Sequence, residues 1–307
     1  MREVRLAGFT ASAIVAGGWQ AGREDWAGID DADSVAAYRA SFDAGVTTFD
    51  TAEEYGAGHS ERLLGQALGG VRDDVVIATK VSWRNLTAAK VAEACERSLR
   101  NLGTDRIDLY QIHWPAGTFG SPVVPLEETL GALEALRDQG KIRAIGVSNF
   151  SREQLAQARG VTRIDAVQNP FSLFWRTYEA EDLCLMAYSP LAQGLLAGRT
   201  GPFEPGDNRA GNRLFRGENF ARAQAALVQL REIAAEHRVT VGQLALAWLL
   251  HRPRVCAVVG ARTAEQARQN AEAGRIGLDP ATLAVISEIG RSVTDPMREK
   301  IMWDWEL

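Results

Sequence analysis

The sequence predicts a single-domain (β/α)8 barrel, a TIM barrel, entered through an N-terminal β-hairpin. Three observations carry this reading. Segments of strand character alternate with helical patterns eight times along the 307 residues, the rhythm of an α/β fold. The strand segments are near-continuously apolar, as strands covered on both faces are. A doubly wound sheet would share both features, but its dinucleotide-binding form needs G-x-G-x-x-G after the first strand, and the sequence contains none.

Taken in order, Val4 to Leu6 and Phe9 to Ala11 flank Ala7-Gly8 as a small hairpin, and Ser12 to Ala16 forms the first barrel strand, ending at Gly17-Gly18-Trp19. A helix over about Ala32 to Phe42 leads to the strand Thr47 to Asp50. Ser60 to Leu68 is helical, with Leu63, Leu64, Ala67 and Leu68 on one side. Val75 to Lys80 is an apolar strand up to its last two residues. Thr87 stands as N-cap of a helix in which Val91, Cys95, Ser98 and Leu102 recur at helical spacing, and Gly103 stops it. Ile107 to Trp114 is the next strand. Leu126, Leu130, Leu133 and Leu136 mark a helix closed by Gly140, followed by the strand Ile142 to Ser148.

Ser151-x-x-Gln154 is a capping box that opens a further helix. A strand at Asp165 to Asn169, a short helical stretch after Thr177 and a strand at Cys184 to Ser189 continue the alternation. The Gly/Pro/Arg-rich stretch from Gly194 to Gly217 exceeds the roughly 12–15 residues usual for connections and reads as a functional flap. Helical patterns at Asn219 to His237 and Thr240 to His251 precede the strand Val255 to Val259. Thr263-x-x-Gln266 and Asp279-Pro280 each open one more helix. No low-complexity segment divides the chain, so 1–307 is read as one domain.

The composition, 46% hydrophobic and 24% charged, is that of a globular protein with a large core. A net charge of -5 and the lack of a basic block argue against nucleic acid as a partner. No apolar run is long enough to span a membrane, and Met1 to Leu6 lacks the apolar region of a signal peptide, so a cytoplasmic location is expected. Cys95, Cys184 and Cys256 are odd in number and widely spaced, which suggests reduced, buried thiols rather than disulfides or a zinc site.

The functional signal lies in the last residues of the strands: Gly18 and Trp19, Asp50, Lys80, His113, Ser148 and Asn149, Gln168, Tyr188 and Ser189, and Gly260. Nearly all are polar although the strands feeding them are apolar, and in a barrel these ends converge on the C-terminal face, where active sites are built. Lys80 is one of four lysines and ends a run without other charge. A lone buried ammonium is costly, so it needs a carboxylate, and Asp50 is the candidate. Such a pair beside Tyr55 would stabilise the phenolate and make the phenol a better acid, able to exchange protons near neutrality. His113 could hold a substrate oxygen alongside it. One histidine and one carboxylate are too few for the usual metal site, so no metal is expected.

Read together, Phe49-Asp50-Thr51-Ala52-Glu53-Glu54-Tyr55-Gly56 with His59-Ser60-Glu61, Ala78-Thr79-Lys80, Leu109-Tyr110-Gln111-Ile112-His113-Trp114, Gly146-Val147-Ser148-Asn149-Phe150, Gln168-Asn169-Pro170 and Ala187-Tyr188-Ser189-Pro190-Leu191 resemble the aldo-keto reductases. The resemblance runs from the hairpin to about Asn270, nearest the bacterial, plant and fungal branches related to the potassium-channel β-subunits. It implies an NADP(H)-dependent oxidoreductase that reduces an aldehyde or ketone to an alcohol, or the reverse. Tyr55 would be the general acid, Lys80 paired with Asp50 would lower its pKa, and His113 would orient the carbonyl. Tyr188 would stack on the nicotinamide, Ser148, Asn149 and Gln168 would bond its carboxamide, and the loop carrying Ser189, Pro190, Leu191, Gln193 and Gly194 would wrap the pyrophosphate.

Gly260-Ala261-Arg262-Thr263 sits at the last strand-to-helix turn. An arginine fork with the N–H groups of a helix start suits the 2′-phosphate of NADP, so NADP(H) is preferred with NAD(H) possible. The resemblance adds Gln266 and Asn270 to this end. Trp19, Trp83, Trp114, Phe119, Trp175, Trp303 and Trp305 are the candidate walls of the substrate pocket beside Tyr55 and His113, and suit a small carbonyl or alcohol with an apolar or sugar face. The stretch from Gln168 to Ala187 is shorter than its family counterpart, so the helix after the sixth barrel strand is expected to be truncated or absent and the wall thin or open there. A cofactor-binding, redox-sensing regulatory subunit is the alternative to an enzyme.

Overall fold

The computed structural model describes residues 1–24, 26, 28–176, 183–201, 203 and 207–297. Strands β1 (Glu3–Leu6) and β2 (Phe9–Ser12) pair antiparallel across Ala7-Gly8, whose φ angles of 52° and 90° give the two-residue turn the twist a hairpin needs. The hairpin lies under the barrel. Leu6 and Ala11 are fully buried against inward side chains such as Val15, Leu109 and Met186, closing the N-terminal end with apolar contacts.

Among the described residues eight parallel strands close into the barrel: β3 (Ile14–Gly17), β4 (Thr48–Asp50), β5 (Val76–Val81), β6 (Ile107–Ile112), β7 (Ile142–Ser148), β8 (Ala166–Pro170), β9 (Cys184–Tyr188) and β10 (Val255–Gly260). They pair in chain order, and β10 returns to β3 with Ala257 opposite Ile14 and Gly260 opposite Gly17. Helices α1 (Asp31–Asp43), α2 (His59–Leu68), α3 (Ala88–Leu102), α4 (Leu126–Asp138), α5 (Arg152–Val161), α6 (Gly217–Glu236), α7 (Val241–Leu250), α8 (Ala264–Ala273) and α9 (Pro280–Thr294) surround them. Burial on both faces explains the apolar runs: every residue of β4, β5, β6 and β8 is buried.

Local signals act largely as expected. Ser151 with Gln154 and Thr240 with Gln243 form reciprocal capping boxes, and Asp279 accepts from Ala281 N and Thr282 N beside Pro280. Two caps differ. Thr87 stands at the N-cap of α3, yet its hydroxyl makes no cap bond, and the N–H of Ala88 donates instead to Glu128 Oε1 of α4 at 2.9 Å. Thr263 accepts from Gln266 N, but the Gln266 side chain accepts from Arg262 N, one residue before the cap.

The segment after β8 corrects one expectation. Ser172 and Trp175 form an isolated bridge, and no helix follows among the described residues; the helical stretch expected after Thr177 falls in 177–182, outside them. The wall is nonetheless closed there. β8 and β9 pair from Ala166–Cys184 to Pro170–Tyr188, and α9 covers the outside, with Arg176 Nη2 donating to Ser287 O at 2.9 Å and Leu173 packed where a side chain at Gly290 would stand.

Candidate active site

Alternation along β5, β6 and β7 determines which side chains face inward. Lys80, Gln111 and Gly146 are in register on adjacent strands, while Asp50 ends β4 opposite Ala78. Lys80 is fully buried in the penultimate position of β5. Its Nζ donates to Asp50 Oδ2 at 2.7 Å and to Thr51 O at 2.8 Å, and stands 3.4 Å from Tyr55 Oη. The other carboxylate oxygen, Oδ1, accepts from Gln168 Nε2 at 2.8 Å and Gln111 Nε2 at 3.3 Å. Both carboxylate oxygens of Asp50, a residue only 2% exposed, are thus satisfied.

Tyr55 follows β4 in the turn before α2, and its ring meets the His113 ring edge-on at 5.5 Å between centroids. Burial, and beyond it the Asp50 charge, push the phenol well above its ordinary value of 10.0. The expected acidification is therefore not a property of the resting site: desolvation outweighs the ion pair, and the phenol is held protonated. Burial pulls the Lys80 ammonium down, with Asp50 opposing that shift. Burial and the Lys80 charge hold His113 well below its ordinary 6.5, so its imidazole is neutral at physiological pH. A neutral imidazole carries one N–H and can orient an oxygen through a single hydrogen bond.

Above this cluster opens a cavity of about 880 Å³, within the size range of small-molecule and cofactor sites. Trp19, Trp83, Trp114 and Phe119 wall it beside Tyr55 and His113. Trp83 lies 5.7 Å from the His113 ring and 5.4 Å from Phe119, and the Arg84 guanidinium sits over its ring, 4.8 Å from the centroid, while pairing with Glu54. Trp175 does not join them. The Ser172–Trp175 bridge turns it into the core, where it is 2% exposed. Trp303 and Trp305 lie outside the described residues.

Ser148, Asn149, Gln168 and Tyr188 line the cavity at the ends of β7, β8 and β9. Asn149, at a φ of 61°, donates to His113 O at 3.0 Å and accepts from Tyr188 Oη at 2.7 Å, joining three strand ends in one network. Past β9, Ser189, Ala192, Gln193 and Gly194 all have positive φ, between 49° and 93°. Such backbone costs about 1–3 kcal/mol per non-glycine residue and persists where function or packing holds it. Pro190, Leu191, Gln193 and Gly194 line the cavity, and Gln193 Nε2 is a buried donor without a partner among the described residues. A curled run of backbone with a spare donor is the kind of concavity that takes an anion.

Beyond it lie Arg199, Arg209, Arg231, Gly260, Arg262, Gln266 and Asn270. Burial, with the like charges of Arg199 and Arg209, lowers the Arg262 pKa below that of an ordinary guanidinium, the mark of converging cations. Arg209 and Arg262 each stand 5.4 Å from the Trp26 ring, so the loop after β3 and the loops after β9 and β10 meet here. Gly260 leaves space for Gln20, whose Oε1 would lie 1.8 Å from a Cβ at that position. Gly18 is equally constrained, a Cβ there standing 2.6 Å from both Ser60 Oγ and Tyr38 Oη. Ala261 alone of the expected group turns away, packing with Ala37, Ala40 and Ala267 of α1 and α8. Amide donors at one end and converging arginines beyond a left-handed loop fit a nicotinamide dinucleotide carrying phosphates.

Sequence reasoning missed Gln111, Trp26, Arg199, Arg209 and Arg231. The alternation that places His113 at the rim also turns Gln111, two residues earlier, inward. The flap between Gly194 and Gly217 carried Arg199 and Arg209, but nothing local says where a loop arginine points. Among the described residues no group of three or more His, Cys, Asp or Glu side chains converges as metal ligands do.

A family model described as "Aldo/keto reductase family" matches residues 13–291. The chain is 39% identical over 268 residues to the aldo-keto reductase YhdN of Bacillus subtilis, covering 80% of each. It is 32% identical over 278 residues to an NADH-specific methylglyoxal reductase of Escherichia coli, covering 81% of this chain and 85% of the relative. Among solved structures, an aldo/keto reductase from Klebsiella pneumoniae in complex with NADP and acetate superposes with a TM-score of 0.78 at 34% identity, covering 99% of both chains. The glycerol dehydrogenase of Gluconobacter oxydans does so with a TM-score of 0.86 at 31% identity, covering 98% of both.

Proposed function

The chain belongs to the aldo/keto reductase family, and on that premise we propose that its rim performs carbonyl reduction with Tyr55 as proton donor. The protein is an NADP(H)-dependent oxidoreductase that reduces an aldehyde or ketone to an alcohol, or runs the reverse reaction. One observation carries the residue assignment: Asp50 and Tyr55, Lys80, and His113, from three separate stretches of sequence, meet at one end of the cavity. The reductase names of the relatives support turnover over a regulatory role.

When bound, the reduced nicotinamide supplies the hydride. The chain's residues do the rest. Ser148, Asn149 and Gln168 would hold the carboxamide, Tyr188 would pack against the nicotinamide, and Ser189 to Gly194 would cradle the pyrophosphate. Gly18, Trp19, Gly260, Gln266 and Asn270 shape the remaining walls. Arg262, with Arg199 and Arg209 near it, would take a 2′-phosphate, and this convergence of cations supports NADP(H) over NAD(H), although one relative is NADH-specific. The neutral His113 donates to the carbonyl oxygen. As that oxygen gains negative charge it takes the Tyr55 proton, and Lys80 Nζ faces the phenolate left behind.

Trp19, Trp83, Trp114 and Phe119 exclude water from this end and favour small carbonyls with an apolar face. We read the whole chain as one barrel domain acting in the cytoplasm, where its three free cysteines stay reduced. NADPH oxidation followed at 340 nm over a panel of aldehydes, ketones and sugars tests the reading. Turnover of a subset is expected, and its absence across the panel would overturn it.

A further inference from the structure

Gln111 is fully buried on β6, level with Lys80 on one side and Gly146 on the other. Glycine at 146 makes the room: a Cβ there would stand 2.9 Å from Gln111 Cγ and 3.2 Å from Leu109 Cδ1. Into that space the Gln111 side chain extends far enough for Nε2 to reach Asp50 Oδ1 at 3.3 Å. Its Oε1 is buried without a hydrogen-bond partner among the described residues. An unpaired buried carbonyl is costly, and the site carries that cost. Turning the amide over would set its oxygen against the carboxylate, so Asp50 itself selects the donor orientation.

The two amides on Asp50 Oδ1 are not equivalent. Gln168 lines the cavity, where a bound cofactor competes for its hydrogen bonds; Gln111 lies behind the wall. Only Gln111 can hold Asp50 unchanged through a catalytic cycle. We propose that Gln111 is a positioning residue of the catalytic centre, holding Asp50 Oδ1 so that Lys80 remains shared between Asp50 Oδ2 and the Tyr55 phenol. The proposal rests on the reading of Tyr55 as the proton donor. Without the Gln111 donor, more of the carboxylate's charge is uncompensated. Lys80 is drawn onto Asp50, and a phenolate at Tyr55 becomes harder to form.

The test is Gln111→Met, which keeps the length and volume of the side chain and removes the donor. NADPH binding, read by quenching of tryptophan fluorescence, and KM for the carbonyl should hold. A charge-assisted bond lost from the counter-ion should lower kcat about tenfold and move the half-maximal pH of alcohol oxidation up by about one unit. A purely structural role would not move that pH. Gly146→Ala, which keeps the Gln111 amide in the chain but pushes its side chain away from Asp50, should shift the profile the same way and serves if the first variant is poorly folded. Profiles superimposable on that of the unsubstituted enzyme in these variants overturn the proposal. If instead Tyr55→Phe retains NADPH oxidation, the reading of the site has failed and the role of Gln111 falls with it. Loss of activity in Tyr55→Phe beside an unshifted Gln111→Met sinks the Gln111 role alone.

Discussion

Lys80 Nζ lies 2.7 Å from Asp50 Oδ2, with the two side chains 0% and 3% exposed. A pair taken so far out of water has repaid most of its Coulomb attraction in desolvation, so its worth as a stabilising contact is small while the cost of breaking it is large. Lys80→Met should destabilise the fold by roughly 3–5 kcal/mol, because it leaves a buried carboxylate supported only by amides. The double variant Asp50→Asn/Lys80→Met should recover much of that loss in urea unfolding and none of the reductase activity. Recovery of activity together with stability would show that the pair serves folding alone.

His113 makes the fold sensitive to acid. Its pKa in the folded state is held well below the ordinary 6.5 by burial and by Lys80. The unfolded chain therefore binds a proton that the folded chain refuses as pH falls below about 6.5, and stability rises with pH across that window. The contribution is complete above the unfolded value and is lost progressively on acidification toward the folded one. Melting temperatures at pH 7.5 and pH 5.5 should fall further for the unsubstituted protein than for His113→Gln. Equal falls would place the acid sensitivity elsewhere.

Arg262 is the cation proposed to discriminate between the two cofactors. Arg262→Ala removes one charge-assisted contact to a 2′-phosphate, worth roughly tenfold in binding, and should raise KM for NADPH by about that factor with little change for NADH. Arg199 and Arg209 remain nearby and set a floor to the loss. Equal changes with both cofactors would contradict the assignment.

The barrel was legible because burial on both faces writes itself into β9 and β10, and into β5 up to Ala78, as nearly unbroken apolar runs. Lys80 was legible for the complementary reason: one charge at the end of such a run has to be paired. Ser151 with Gln154 and Thr240 with Gln243 announce their helices locally. What escaped is decided at long range. The seal over the β8–β9 connection comes from Ser287 and Gly290, over a hundred residues away in sequence. The convergence of Arg209 and Arg262 on Trp26 joins three loops. The protonation of Tyr55 depends on how far the fold takes its half-buried phenol out of water, which no spacing of residues reveals, so the sequence suggested an acidified phenol where the fold holds a protonated one. Trp175 and Ala261 were placed at the rim by proximity in sequence, yet the bridge at Ser172 and the small-residue contact with α1 turn them away.

The most direct test of the account is Tyr55→Phe, which deletes one oxygen and leaves the ring in place. NADPH should still quench tryptophan fluorescence with the affinity of the unsubstituted enzyme, since Tyr55 is not among the groups proposed to hold the cofactor. The rate of NADPH oxidation with a good carbonyl substrate should fall by about 10²–10⁴-fold, the usual worth of a positioned general acid. Carbonyl reduction in the Tyr55→Phe variant at a rate close to the original would contradict the account at its centre.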